Sequence, residues 1–458
     1  MRRVGTAGSA WRKCTVRMIR TAPIAAALAF AVAAQPATAR TAAPDAMEVR
    51  SPLRYELEDR VDRSLREFYR SRNFRPLWMN ESGMLNPAAQ LLLSQIENSR
   101  IDAVKPGGLK PGRLAKALRD ARPGQFENLA RAELLLSRTF AQYVAAMRTA
   151  RRSDMIYESQ ALAPVAPTPS AALGAAAAQK SLRDYVARMG WMHPFYAPMR
   201  AALLDRQMSA GQRAAIWENL DRIRALPALS TGRYVLVDAA SATLWMYENG
   251  KPVDSMRVVV GKAATPTPIM AGFLRFAIVN PYWNVPPDLV RSTVAWNVNE
   301  KGLDYLRAGG YQVLSDWSAD PEIVDPATID WQAVAAGTRE LRVRQLPGGS
   351  NFMGRVKFEF PNPQGIYLHD TPSKELLREN VRQLSNGCVR LEDADRFGKW
   401  LLGKRLPRGA GKPEQRIDLA QIVPVYLTYL TAVPRDGRIV FSSDVYRRDA
   451  AMRLARMD

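Results

Sequence analysis

Apolar residues recur at helical spacing through the first half of the chain and at strand spacing through the second. Residues 56–72 are strongly charged but place Val61, Leu65, Phe68 and Tyr69 on a helical period, 91–96 and 114–118 continue it, and 128–147 predicts a longer, mostly buried helix. Residues 163–178 (APVAPTPSAALGAAAA) turn to Ala, Pro, Thr and Gly, which predicts a loop or linker. Helical patterns resume at 181–188 and 209–225. Near Gly232 the period shortens to two. Short β-branched and aromatic runs at 234–237, 243–247, 256–260, 274–279, 356–360, 366–369, 425–430 and 439–442 predict strands. Between 288 and 349 the strand signal fades into a segment rich in Pro, Trp and Asp, too long for a plain loop, so a subdomain or lid is expected there. The pattern therefore predicts an α+β protein: an all-helical part over 40–230, a strand-rich part over 231–445 with an insert over 288–349, and a tail over 446–458.

Composition narrows what such a chain can do. At 458 residues it exceeds one ordinary domain, and 47% hydrophobic residues supply a substantial core. Two cysteines and two histidines exclude a zinc cluster or a disulfide scaffold by counting alone. The net charge of +21 points to an anionic partner, but six of the cations lie in the first 39 residues, which contain no acid. Those residues run from arginines through an apolar stretch at 24–34 to Ala37-Thr38-Ala39, the layout of a cleaved secretory signal, too short for a membrane span. Its removal leaves +15 and a single cysteine, Cys388, because Cys14 goes with the signal. No basic-aromatic patch or recognition helix argues for nucleic acid.

Two short motifs could carry chemistry. Ile366-Tyr367-Leu368-His369-Asp370 reads as a strand delivering a histidine, and Ser385-Asn386-Gly387-Cys388-Val389-Arg390 as a glycine turn delivering a cysteine into the next strand. A thiol needs a base to act as a nucleophile near neutral pH, and His369 is available for Cys388. Gly387 would let backbone N–H groups, its own and that of Cys388, approach an oxyanion, while Arg390 falls on the same strand face as Cys388 and could bind a carboxylate. A lone cysteine is equally well a small buried hydrophobe, and spacing alone leaves both readings open. His193, set among aromatic residues and prolines without a nucleophile nearby, reads as a packing residue.

The segment IYLHDTPSKELLRENVRQLSNGCVRLEDA resembles the catalytic core of the peptidoglycan L,D-transpeptidases, in particular the long periplasmic form of Gram-negative bacteria. TPTPIM, NPYWNVPPDLV, VDPATIDW, RQLPGGSNFMGRVKFEFPN and the helical pieces near 68–78 and 193–203 carry the likeness over nearly the whole mature chain. The resemblance implies an N-terminal helical scaffold domain, a mixed-β L,D-transpeptidase domain, and a capping subdomain at 288–349. It implies Cys388 as nucleophile, His369 as general acid and base, the backbone carbonyl or side chain of Asp370 as orienting partner of the imidazole, and Gly387 as an oxyanion N–H donor. Tyr367, Arg390, Ser385 and Asn386 would bind the donor. Ser385-Asn386 stands where many relatives have Ser-His, so a second histidine is absent. The implied reaction is a 3→3 cross-link between meso-diaminopimelate stem peptides through a thioester, in the periplasm, with no metal or cofactor and with carbapenems as inhibitors. Outer-membrane protein amines or water are the alternative acceptors, and a silent wall-binding scaffold is the alternative of another class. The separate wall-binding module of many long relatives has no counterpart here, and the Ser-x-x-Lys and Lys-Thr-Gly elements of serine enzymes are missing.

Overall fold

The computed structural model describes residues 51–149, 154–205, 207–228, 232–318, 320–407 and 411–449. The export signal expected at 1–39, with Cys14, lies outside them, as does the end of the tail. No described helix is long and apolar enough to cross a membrane.

The charged stretch forms two helices, Pro52–Arg60 and Arg63–Ser71, because Asp62 turns its carboxylate onto the Ser64 N–H at 2.8 Å and starts a new helix instead of continuing the old one. The long helix Phe126–Arg148 buries Leu129, Leu136, Phe140, Tyr143 and Met147 on one stripe. It also buries Glu133, whose carboxylate accepts from Leu77 N (2.6 Å), Trp78 N (2.9 Å) and the Tyr69 hydroxyl (2.7 Å). Burial pushes this carboxyl up to about 6.

The loop expected over 163–178 is in fact largely helical, over Pro169–Ala177. Thr168 caps it by accepting from Ala171 N at 3.2 Å, Pro169 sits at the first position, and Ala172, Leu173 and Ala176 are buried. Alanine is the strongest helix former and Thr-Pro a strong start, so a composition read as a linker makes a packed helix once it has a core to lie on.

From Arg233 the chain builds one large sheet, in the order Met270–Val279, Val356–Glu359, Leu368–His369, Val389–Leu391, Lys251–Gly261, Thr243–Glu248, Arg233–Asp238 and Gln415–Thr428. The last strand pairs again with Met270–Val279, so the path closes on itself. Helical part and sheet share one hydrophobic core. His193 lies at their meeting: its buried ring accepts from Phe195 N at 3.2 Å through Nδ1, and its Nε2 lies 3.2 Å from the Tyr234 hydroxyl. It is a packing residue held neutral, its pKa lowered to about 3 by burial.

The insert has more strand than its sequence suggested. Trp283–Val285, Arg342–Gln345, Tyr311–Leu314 and Ile323–Val324 form a separate four-stranded sheet. With short helices between, they enclose a second core around Trp283, Val294, Val334 and Val343. The residues expected to begin a tail are packed: the Tyr446 hydroxyl donates to the Gly261 carbonyl, and Asp449 pairs with Arg222 at 2.6 Å.

Candidate active site

Strand register assembles the site. Leu368–His369 runs parallel to Val389–Leu391, pairing Leu368 with Val389 and His369 with Arg390. On its other side it runs antiparallel to Val356–Glu359, pairing Lys357 with His369 and Phe358 with Leu368. Directly paired residues share a face and successive ones alternate. Val356, Phe358, Leu368 and Val389 therefore all point into the core, where they are buried. The opposite face receives Lys357, Glu359, Tyr367, His369, Cys388 and Arg390. Four sequence-expected residues, 19 positions apart at the nucleophile and base, thus become neighbours on one side of the sheet.

Cys388 is half-buried, with Sγ 3.7 Å from the Gly365 carbonyl, and Val389 N donates to Tyr367 O at 3.1 Å just beyond it. His369 is buried, its ring 5.6 Å from that of Tyr367 in an edge-on contact, and its Nδ1 has no hydrogen-bond partner. No hydrogen bond joins His369 to Cys388 among the described residues; the register makes the two diagonal neighbours on adjacent strands. Tyr367 also packs against the core of the insert, which so reaches the edge of the site face.

Burial decides the protonation of the pair. Burial raises the Cys388 thiol to about 11, outweighing Tyr367 and Arg390, which favour the thiolate. The resting sulfur keeps its proton. Burial, with Arg390 next, lowers His369 to about 3, and the backbone at Asp370 opposes that shift. Thiol and imidazole are a neutral pair over the whole physiological range.

Two expectations change and one narrows. The Asp370 carboxylate accepts from Arg355 N at 2.9 Å and from Lys374 Nζ at 2.8 Å, so of the two groups expected to orient the imidazole the backbone fits, and the carboxylate acts on His369 through its charge alone. Ser385 faces inward, its Oγ donating to the Cys388 carbonyl at 2.6 Å and accepting from Gly387 N at 3.1 Å, so it pins the turn and offers nothing to a ligand. The same bond occupies the Gly387 N–H that had been expected to face an oxyanion. The Cys388 N–H carries no hydrogen bond among the described residues and is the remaining donor. Asn386 is exposed at the tip of the turn, and Arg390 has an unpartnered, buried Nε.

Beside Gly387, which the sequence showed, the turn is held by Thr267 and Lys262, which it did not. Gly387 adopts φ +118°, and a Cβ there would meet the Ile366 side chain at 3.3 Å, so glycine is required. Thr267, buried, donates to Gly387 O at 2.7 Å and accepts from Gly261 N at 2.9 Å. Lys262 N donates to Ser385 O at 2.8 Å. Lys357 and Glu359 were also missed, although their alternation with Val356 and Phe358 places them on one face and could have shown it.

A soft nucleophile, a neutral proton acceptor, a free N–H and a cation on one half-open face make a thiol–imidazole site of acyl-transfer type. Residues 232–421 match the L,D-transpeptidase catalytic domain and residues 63–203 match the scaffold domain. The chain therefore carries an L,D-transpeptidase catalytic domain preceded by a scaffold domain. It is 27% identical over 412 residues to a Haemophilus influenzae protein named as a candidate L,D-transpeptidase, covering 86% of this chain and 80% of that one. Among solved structures it is similar to the catalytic domain of an Enterococcus faecium L,D-transpeptidase (16% identity, 43% of this chain and 98% of that one, TM-score 0.19). It is also similar to Mycobacterium tuberculosis L,D-transpeptidase 1 (11% identity, 43% of this chain and 62% of that one, TM-score 0.20). The chain spans about half to three fifths of several other solved chains it resembles. Overlaps this low carry no weight for function.

Proposed function

We propose that the protein is a periplasmic peptidoglycan L,D-transpeptidase that forms 3→3 cross-links between meso-diaminopimelate stem peptides through a thioester on Cys388. The observation that carries this reading is the parallel register that sets Tyr367, His369, Cys388 and Arg390 on one half-open face. The signal-like start of the sequence supports export, and its basic balance suits a polymer bearing carboxylates.

The neutral pair sets the order of events. Cys388 Sγ attacks the carbonyl of the diaminopimelyl residue as its proton passes to the imidazole, whose unpartnered Nδ1 is free to take it. The oxygen turns toward the Cys388 N–H, and Arg390 holds the carboxylate of the terminal D-Ala. The C–N bond breaks, His369 returns the proton to the leaving amine, and a thioester remains. The far amine of a second diaminopimelate then forms the new C–N bond, its proton returning through His369 to the departing sulfur. The insert, meeting the site at Tyr367, would exclude the water that competes with this amine.

Incubating the mature protein with tetrapeptide muropeptides and reading products by mass tests the proposal. Cross-linked dimers are expected. Tripeptide alone would make the enzyme a hydrolase, and no product would make it a scaffold without chemistry.

A further inference from the structure

Lys357 and Glu359 take no part in the acyl transfer described above, yet they lie on its face. Lys357 Nζ is 3.3 Å from Glu359 Oε1, with the side chains 15% and 19% exposed, and the same Nζ is 5.9 Å from the centroid of the Tyr367 ring. The Glu359 charge is felt at both the Cys388 thiol and the Tyr367 phenol. In a mostly buried ion pair the cost of desolvation offsets much of the attraction, so stability alone does not account for two opposite charges kept near a reacting sulfur.

Their arrangement fits one kind of ligand group. An α-amino-acid terminus bears an ammonium and a carboxylate on a single carbon, and a cation and an anion on alternate positions of one strand present the complementary signs. We propose that Lys357 and Glu359 form a subsite for such a zwitterion, the far end of the diaminopimelyl side chain of the acyl donor, with Lys357 receiving its carboxylate and Glu359 its ammonium. This rests on the transpeptidase reading and adds to it what selects the donor. The dimensions agree. The strand of the pair is two strands from that of Cys388, about 10 Å across. The donor side chain runs five bonds from the scissile carbonyl to its far α-carbon, roughly 6 Å when extended, and Lys357 reaches back over the intervening strand to Tyr367. In the free protein the two side chains satisfy each other, and binding exchanges that pair for two charge-assisted contacts with the ligand.

Three tetrapeptide donors separate the parts: one with meso-diaminopimelate, one with lysine, which lacks only the far carboxylate, and one with 2-aminopimelate, which lacks only the far amine. The wild type should prefer the first over each of the others by roughly tenfold in kcat/KM, mostly through KM. Lys357→Gln should abolish the preference over the lysine donor and keep that over the 2-aminopimelate donor; Glu359→Gln should do the reverse, and Lys357→Arg should restore the wild-type pattern. Variants that slow all three donors in equal proportion, or that leave both preferences intact, would overturn the subsite while the transpeptidase reading stands. A wild type that releases no D-Ala from any donor would overturn both.

Discussion

Replacing Thr267 by Val keeps the shape of the side chain and removes only its hydroxyl. That hydroxyl accepts from Gly261 N at 2.9 Å and donates to Gly387 O at 2.7 Å, and the residue is 2% exposed. The substitution orphans two buried backbone groups at once. Each costs about 1–3 kcal/mol, so Thr267→Val should lose roughly 2–6 kcal/mol of stability, while Thr267→Ser, which keeps both bonds and gives up a methyl group, should lose about 1 kcal/mol. The same loss frees the Gly387 carbonyl, one of the restraints that fix the turn before Cys388, and acylation by a carbapenem should slow at least tenfold by order of magnitude. Urea unfolding at an unchanged slope gives the first number and intact-mass kinetics the second. A Thr267→Val protein within about 0.5 kcal/mol of wild type and acylated at the wild-type rate would refute the idea that Thr267 holds the nucleophile turn.

Other outcomes follow from the buried ionisable groups. His193 and His369 are both lowered to about 3 from an ordinary value near 6.5, so their neutral forms contribute stability that is complete above pH 6.5 and is lost as pH falls toward 3. Each ring accounts for up to about 5 kcal/mol of that loss, and urea midpoints taken from pH 7 to pH 4 should fall steeply; a flat series would contradict the burial of both rings. Glu133 works in the opposite sense: with its folded pKa raised to about 6, it stabilises most below about 4.5 and loses roughly 2 kcal/mol by pH 7. The stability advantage of wild type over Glu133→Gln should shrink accordingly between pH 4.5 and pH 7. With the thiol near 11 and the imidazole near 3, second-order carbapenem acylation of Cys388 should be level from pH 5 to pH 9. A tenfold rise per pH unit through pH 8 would show instead that free thiolate attacks, and an adduct persisting in Cys388→Ala would place the nucleophile elsewhere.

Much of this was written locally in the chain. The alternation in Val356-Lys357-Phe358-Glu359, the strand delivering His369 and the glycine turn before Cys388 each follow from side-chain period and backbone sterics, which act over a few residues. The change from helical to strand period near Gly232 likewise announced the α+β architecture. The Ala-rich run at 169–177 was misread because alanine helices and flexible linkers share a composition, and only the presence of a core to receive Ala172 and Leu173 separates them.

Tertiary structure decided the rest. That His369 pairs with Arg390 and lies diagonal to Cys388 is a matter of register between strands whose paired residues lie 21 positions apart, and no local rule specifies it. The protonation of the sulfur was decided by how much protein lies around it, since desolvation sums over every neighbour. Which backbone N–H remained free depended on a single hydroxyl, that of Ser385, turning inward. Residue types and their period are local properties and were legible from the chain; register, burial and the final partner of each polar group are collective, and exist only once distant segments have met.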